Sequence, residues 1–155
     1  MSIDQKRGQL IKQAFEKSGF KVRDMSLEGD SYRLILETLK GNEGESMEIY
    51  KKKSSDLIVF SSNVYLKNQH YEKYRHLDDD TREKFDNKLE ELLATHNVIH
   101  EITEDEKGFG VSINVAIDHN TLNTDVLKDC YNRVNNSTVS IFNFLMDFSY
   151  DKIKL

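Results

Sequence analysis

The densest group of metal-ligating residue types in this chain lies between positions 70 and 80. His70 and His76 precede a run of three carboxylates, Asp78–Asp80. Imidazole and carboxylate groups bind divalent cations, and a bound cation can activate water for hydrolysis. The same carboxylates also suit the start of a helix, where they complement the positive end of its dipole. We favour a solvated loop and helix start. A metal-binding protein or metal-assisted hydrolase using His70, His76 and Asp78–Asp80 is the alternative.

Other residues capable of chemistry stand further along the chain. His96 and His100 are four residues apart, which would pair them on a continuous helix, but the residues between them indicate the exit into a strand. Asp118 and His119 follow a strand pattern, and we interpret them as a polar turn with a helix cap. Cys130 is the only cysteine, which excludes an intrachain disulfide and zinc sites that need two or more cysteines. Its place in an apolar stripe predicts a buried, unreactive thiol.

Two groups of lysines stand next to tyrosines. Lys51–Lys53 follow Tyr50, and Lys67 is close to Tyr65; cations and rings together can bind single-stranded nucleic acid. However, the net charge of −5 opposes binding to phosphate backbones and to anionic membranes. We therefore interpret Lys51–Lys53 as an edge strand or a turn tip that lysine keeps soluble, and we expect no nucleic-acid or membrane partner.

Sequence motifs give no support for an enzyme. The chain lacks the glycine patterns of phosphate-binding loops, and it lacks GxSxG, HExxH and an EF-hand loop. We therefore predict no catalytic residue, no metal ligand and no cofactor, and we expect a protein that is not an enzyme.

The composition indicates one folded domain over residues 1–155. Hydrophobic residues make up 37% of the chain and aromatic residues 10%, which is enough to bury a core. The segment Met1–Gly8 is polar and lacks the apolar core of a signal peptide, and no run of residues is long and apolar enough for a membrane span. We expect a cytoplasmic protein.

The first half of the chain predicts a helix and then an antiparallel meander. Ser2 and Gln5 form a capping-box pattern, and Ser18-Gly19 predicts the end of that helix. From Phe20 onward apolar residues alternate, with hairpin turns predicted at Glu28–Ser31 and Gly41–Gly44. A third predicted turn, at Lys51–Asp56, leads into Leu57–Phe60, which is apolar throughout and so typical of a central strand. We expect three or four strands.

The second half predicts a helix, a β-hairpin and a long helix. Asn68–Leu77 fits either a short helix or an ordered loop. Asp80 and Glu83 resemble a capping box for a second helix that ends near Ala94–Asn97. Val98–Thr103 and Phe109–Ile117 alternate as two strands around a turn, and Asn120 or Thr121 is the expected cap of the last helix. The predicted fold class is α+β, with the helices packed on one side of an antiparallel sheet.

The last helix, predicted from about Leu122 to Tyr150, has an apolar stripe wider than one face of a sheet requires. Asn135–Thr138 are poor helix formers, but the stripe continues in phase through them, so we expect one helix. The apolar residues near its end either belong to the core or form a partner or dimer interface, where aromatic residues are favoured. The candidate interface residues are Phe142, Phe144, Leu145 and Phe148.

This order of elements resembles the type III secretion chaperone-like fold, including the YbjN-type domains, and uncharacterised prokaryotic families of the same general shape. That fold runs helix, three strands, helix, two strands and a long C-terminal helix. The matching stretches are Asp4–Ser18, Phe20–Lys52, Asp80–Ala94, Val98–Ile117 and Leu122–Tyr150. Leu57–Leu66 is an additional predicted strand, and Asn68–Leu77 has no counterpart there. The resemblance implies a non-catalytic homodimer that binds segments of other proteins. We therefore expect a protein-binding or chaperone-like module, with a protein partner or a second copy as its ligand.

Overall fold

The computed structural model describes residues 1–37, 46–153 and 155. Four α-helices, six strands and a 3-10 turn at His119–Thr121 follow one another in these residues. The elements in chain order are α1 (Ile3–Lys17), β1 (Lys21–Asp24), β2 (Asp30–Glu37), β3 (Ser46–Lys52), β4 (Leu57–Lys67), α2 (Asn68–Arg75), α3 (Asp79–Thr95), β5 (Ile99–Glu104), β6 (Gly108–Asp118) and α4 (Thr124–Ser149). The hairpin turn predicted at Gly41–Gly44 lies outside the described residues.

The six strands form one antiparallel sheet in the order β1-β2-β3-β4-β6-β5, and the helices pack against it. Val22 of β1 lies opposite Leu36 of β2, and Leu36 lies opposite Met47 of β3. Directly opposed residues of an antiparallel pair point to the same face, so these buried side chains share one face. The predicted α+β class is confirmed. The strand predicted at Leu57–Leu66 is β4, which has the central position that its apolar start predicted.

The chain forms two compact units. Unit 1 comprises Met1–Ser62 and Asn114–Asn132, and unit 2 comprises Asn63–Ile113 and Arg133–Leu155. Three elements, β4, β6 and α4, contribute residues to both units. That residues 1–155 fold as a single domain stays a prediction.

In unit 1, α1 packs on β1 and β2. The predicted capping box is present: the Gln5 N–H donates to Ser2 Oγ at 3.1 Å, and the Ser2 N–H donates to Gln5 Oε1 at 3.0 Å. The helix approaches the sheet closely at Gly8, where an added Cβ would lie 3.0 Å from the Tyr32 ring. The predicted end of the helix is confirmed, since Gly19 has a φ of +94° that favours glycine.

The core of unit 2 is built around Phe85 of α3, which is fully buried. Its ring centroid lies 5.0 Å from that of Tyr74, 5.0 Å from that of Phe144 and 4.8 Å from that of Phe148. Aromatic pairs at these separations add to the free energy gained by burying their area. These rings therefore bring α2, α3 and the end of α4 into one cluster.

Several predicted starts of helices need correction. The cap of α3 is Asp78, whose carboxylate accepts the Thr81 N–H at 2.8 Å, so Asp80 lies inside the helix and does not cap it. The Val126 N–H donates to Asn123 Oδ1 at 2.9 Å, so Asn123 caps α4 in place of Asn120 or Thr121. These caps are two or three residues from the predicted ones because several Asp, Asn and Thr residues compete at each start.

The helix α4 is continuous through Asn135–Thr138, as the phase of its apolar stripe predicted. Cys130, on this helix, is buried, as expected. The ambiguous segment from Asn68 onward is the helix α2. Among the described residues, no helix has the length and apolarity needed to cross a bilayer.

Candidate functional site

The predicted histidine and carboxylate group does not come together in the structure. The His70 ring packs edge-on against Tyr150, with 5.6 Å between their centroids. His76 is exposed, and its Nδ1 donates to the Glu72 carbonyl oxygen at 2.7 Å. Asp78 is used as the cap of α3, and Asp79 and Asp80 lie in the first turn of that helix. Within residues 1–37, 46–153 and 155, no three His, Cys, Asp or Glu side chains are arranged to hold a metal ion. The metal alternative thus gains no site from this geometry.

The other histidines make separate polar contacts. His96 ends α3, and its Nε2 lies 3.1 Å from Ser140 Oγ. His100 lies in β5, with Nε2 at 3.1 Å from Glu90 Oε2, so the two imidazoles do not form a pair on one helix. His119 Nδ1 accepts a hydrogen bond from Arg7 at 2.8 Å.

Lys51 is a buried residue of β3, which is an inner strand of the sheet, so the prediction of a solvated edge strand or turn tip is wrong at this position. Its Nζ donates to Asp4 Oδ2 at 2.8 Å and to the Lys52 carbonyl oxygen at 3.2 Å. Ser31 donates to the same carboxylate oxygen at 2.9 Å. These hydrogen bonds, that of Lys51 above all, hold the pKa of the Asp4 carboxyl below its ordinary value. The network fixes the start of α1 to β2 and β3, and the turn itself begins at Lys53.

The candidate interface residues divide into buried and exposed side chains. Phe144, Leu145 and Phe148 are buried, and both phenylalanine rings pack against Phe85 within unit 2, one tilted and one edge-on. Phe142 is 39% exposed and lies on a different face of the helix from the two buried rings. An interface at this end of α4 stays a prediction, and Phe142 is the member of the set that is free to contact another chain.

A cavity of about 540 Å³ lies in unit 2 between the end of β4, the start of α2 and the β5–β6 hairpin. Its volume is within the range of small-molecule binding sites, which leaves ample room for a single side chain. Its lining residues include Tyr65, Lys67, Tyr71, Thr103, Glu106 and Gly110. Tyr65 and Lys67 were singled out in the sequence as a candidate nucleic-acid surface, whereas the hairpin residues were interpreted only as a turn.

Two glycines of β6 allow the cavity walls to approach one another. A Cβ on Gly110 would lie 3.1 Å from both the Tyr65 ring and Thr103 Oγ1. A Cβ on Gly108 would lie 2.7 Å from the Leu66 carbonyl oxygen, closer than any side chain tolerates. Alternate glycines in a strand mark such close approaches. The spacing Gly108-x-Gly110 was therefore the sequence signal from which this site was predictable.

Hydrogen bonds hold the hairpin beside the cavity. The Tyr71 hydroxyl lies within hydrogen-bond distance of Glu104 Oε1, at 3.0 Å, and of the Asp105 carbonyl oxygen, at 2.6 Å. Asp105 Oδ1 accepts the N–H groups of Lys107 and Gly108, at 2.7 and 3.1 Å. Burial, followed by the neighbouring Glu104, raises the pKa of Tyr71, so this phenol stays protonated and continues to donate. The cavity is therefore formed by an ordered hairpin.

Among the residues that the structure describes, the strand β5 is an edge of the sheet and pairs only with β6. The Asp105 N–H donates to the Gly108 carbonyl oxygen at 3.0 Å, which directs the backbone of Asp105 toward β6. Because backbone groups of successive strand residues point to opposite sides, the N–H groups of Glu104 and Ile102 point away from β6. The edge next to the cavity therefore presents main-chain donors and acceptors to a further strand.

These features define a small α+β protein in which an edge strand adjoins a cavity of about 540 Å³. The chain belongs to the uncharacterized conserved protein family DUF2299, whose family model matches residues 8–145. Its structure is similar to the crystal structure of an uncharacterized protein from Methanothermobacter thermautotrophicus, with a TM-score of 0.78 over 91% of this chain and 97% of that chain. The two sequences are 17% identical, so the likeness shows a shared fold. Comparison with curated proteins gives no match.

Proposed function

We propose that this protein is a cytoplasmic, non-catalytic protein-binding module that binds an extended segment of a partner at the outer edge of β5. The observation that carries the proposal is the position of the cavity, which shares Thr103 with that edge strand. A segment paired with β5 would place alternate side chains on the side of the sheet where the cavity opens.

Strand addition fits the chemistry of this edge. In β-augmentation, main-chain hydrogen bonds supply affinity and side-chain pockets supply specificity. The outward N–H groups of Ile102 and Glu104 can donate the main-chain hydrogen bonds, and the cavity beside Tyr65 can serve as the side-chain pocket. Tyr65 is 57% exposed, so its ring offers apolar area that a partner side chain can cover.

A chaperone-like role is the finer form of this proposal, and the resemblance to the type III secretion chaperone-like fold is its origin. Two elements distinguish the present fold from that pattern. The strand β4 makes four strands before the next helix, and α2 is an additional helix. The proposal therefore depends on the β5 edge and the cavity, and the resemblance adds only an expected class of ligand.

The test compares Ile102→Pro with Ile102→Ala. Both variants lose the half-buried isoleucine side chain, but only proline also removes the outward N–H, a change that edge strands tolerate. Random peptides of about twelve residues, a length that spans one strand and its flanks, are selected on phage against the unmodified protein. Anisotropy titrations then measure the affinity of the enriched peptides for each protein. We expect Ile102→Ala to bind nearly as well as the unmodified protein, and Ile102→Pro to bind about tenfold more weakly, because one main-chain hydrogen bond and its neighbours are lost.

Thermal unfolding by circular dichroism provides the control, since both variants should keep similar melting temperatures. Equal affinities for the two variants would contradict the proposal, as would a selection in which no peptide is enriched.

A further inference from the structure

The residues of β5 and its turn are strongly acidic, and this bears on which segment binds there. Four of the six residues in Glu101–Glu106 are carboxylates, and a single base, Lys107, follows them. Glu101, Glu104, Asp105 and Glu106 are all exposed. The chemistry of a partner at the β5 edge is inferred below, and this inference rests on the proposed function.

These carboxylates have few compensating cations. In the described part of the chain, none of the four takes part in an ion pair within 4.0 Å. The hydrogen-bond partners of Glu104 and Asp105 are a phenol and backbone N–H groups, which leave the negative charge in place. Lys67 and Lys107, which also line the cavity, are the nearby bases on this side.

The helix face next to β5 adds to the negative potential. Glu90 of α3 reaches His100 of β5 at 3.1 Å. The pKa of Asp86, one turn earlier, is raised above its ordinary value, first by burial and then by the charges of Glu104 and Glu90, although Tyr74 and Arg82 oppose this shift. Glu90 and Glu104 are therefore both close enough to Asp86 to disfavour its ionisation.

We propose that the segment bound at the β5 edge is basic and extended, with Lys or Arg side chains facing Glu101 and Glu106. Opposite charges across neighbouring strands stabilise their pairing, whereas like charges oppose it. A second copy of this chain paired through β5 would bring two strands of the same negative charge together, so a basic partner segment is the occupant that the edge favours.

The cavity accepts the side chain of such a segment. The Nζ of Lys67 already lies 5.1 Å from the centroid of the Tyr65 ring, so this ring accommodates a cation at its surface. The aliphatic part of a partner Lys or Arg can cover the exposed ring, while its charged end remains at the rim near Glu106. Affinity should then depend both on the positive charge and on the backbone pairing.

The experiment uses two labelled peptides of about ten residues, a length that covers one edge strand. One alternates Lys with Val, and the other alternates Glu with Val, so the two match in strand propensity and differ in charge. We expect the Lys–Val peptide to bind, to bind more weakly as salt rises from about 50 to about 300 mM, and to lose affinity in Ile102→Pro. The Glu–Val peptide should bind at least tenfold more weakly.

Charge reversal provides the matched variants. Glu101→Lys combined with Glu106→Lys should weaken the Lys–Val peptide by about tenfold, because two attractive pairs become repulsive. Glu16→Lys combined with Glu28→Lys makes the same change in net charge at exposed positions of unit 1 and should leave affinity unchanged. If both peptides bind equally and Ile102→Pro weakens both, the edge binds segments without regard to charge, and the basic partner is overturned while the proposed function stands. If Ile102→Pro weakens neither peptide, the proposed function itself fails.

Discussion

Asp30 is the residue on which the charged contacts of β2 and β3 converge. Its side chain is fully buried: Oδ2 accepts the Leu27 N–H at 3.0 Å and Arg33 Nε at 2.8 Å, and Oδ1 forms an ion pair with Lys52 Nζ at 2.7 Å. Burial alone would raise the pKa of this carboxyl group, but the hydrogen bonds from Arg33, Lys52 and Leu27 outweigh it, and the pKa is lowered well below its ordinary value. The folded protein therefore stabilises the ionised form of Asp30 more than the unfolded chain does.

We predict that Asp30→Asn lowers the free energy of unfolding at about pH 7 by about 3 kcal/mol, because it leaves Arg33 and Lys52 without their shared buried anion. The stabilisation by Asp30 is complete above the unfolded-state pKa and is lost as pH falls through the lower folded-state pKa. The variant should therefore show a shallower loss of stability on acidification. Urea unfolding at several pH values measures both effects.

Asp24→Asn is the control. The Asp24 side chain is 51% exposed and lies 3.7 Å from Lys12 Nζ, so we expect this variant to lower the free energy of unfolding by less than about 1 kcal/mol. Equal losses for the two variants would contradict this account.

At the scale of elements, contacts between near neighbours were predictable from the sequence and long-range contacts were not. The capping box of α1, the turn after β5 and the continuous phase of α4 each depend on residues a few positions apart. The burial of Lys51 depends on Asp4, 47 positions earlier, which no local pattern indicates. The cavity likewise depends on Tyr71 meeting Glu104, 33 positions away. Periodicity predicts which face of an element is buried, but it does not identify the residue on the opposing element.

The end of α4 supplies a matched pair of phenylalanines. Phe144 is buried against Phe85, so we predict that Phe144→Ala destabilises the protein by about 3–5 kcal/mol. Phe142→Ala, at a 39% exposed position, should change stability by less than about 1 kcal/mol. Thermal and urea unfolding measure the difference.

The same pair tests the candidate homodimer. If the protein dimerises through this helix, light scattering should show that Phe142→Asp is a folded monomer, whereas Phe144→Asp unfolds. If Phe142→Asp is folded and still dimeric, Phe142 is not part of the dimer interface.

At the scale of the whole molecule, length and composition predicted one domain, and the structure divides into two compact units. A boundary between independent domains normally falls in an exposed linker that few contacts cross. Here each change from one unit to the other falls within a regular element: between Ser62 and Asn63 in β4, between Ile113 and Asn114 in β6, and between Asn132 and Arg133 in α4. Separate unfolding of the units would have to interrupt two strands and a helix, with the loss of their hydrogen bonds.

We therefore predict that the two units unfold in one transition. The chain contains no tryptophan, so Tyr50→Trp reports on unit 1 and Tyr65→Trp on unit 2, each at a position where the tyrosine ring is partly exposed. In urea, the fluorescence midpoints of the two variants should coincide with each other and with the loss of helix measured by circular dichroism, which is the test of two-state behaviour. The denaturant dependence should be that of a chain of 155 residues exposing its whole core. Two separate midpoints, each with a smaller denaturant dependence, would show instead that β4, β6 and α4 can break at the boundaries and that each unit is a domain of its own.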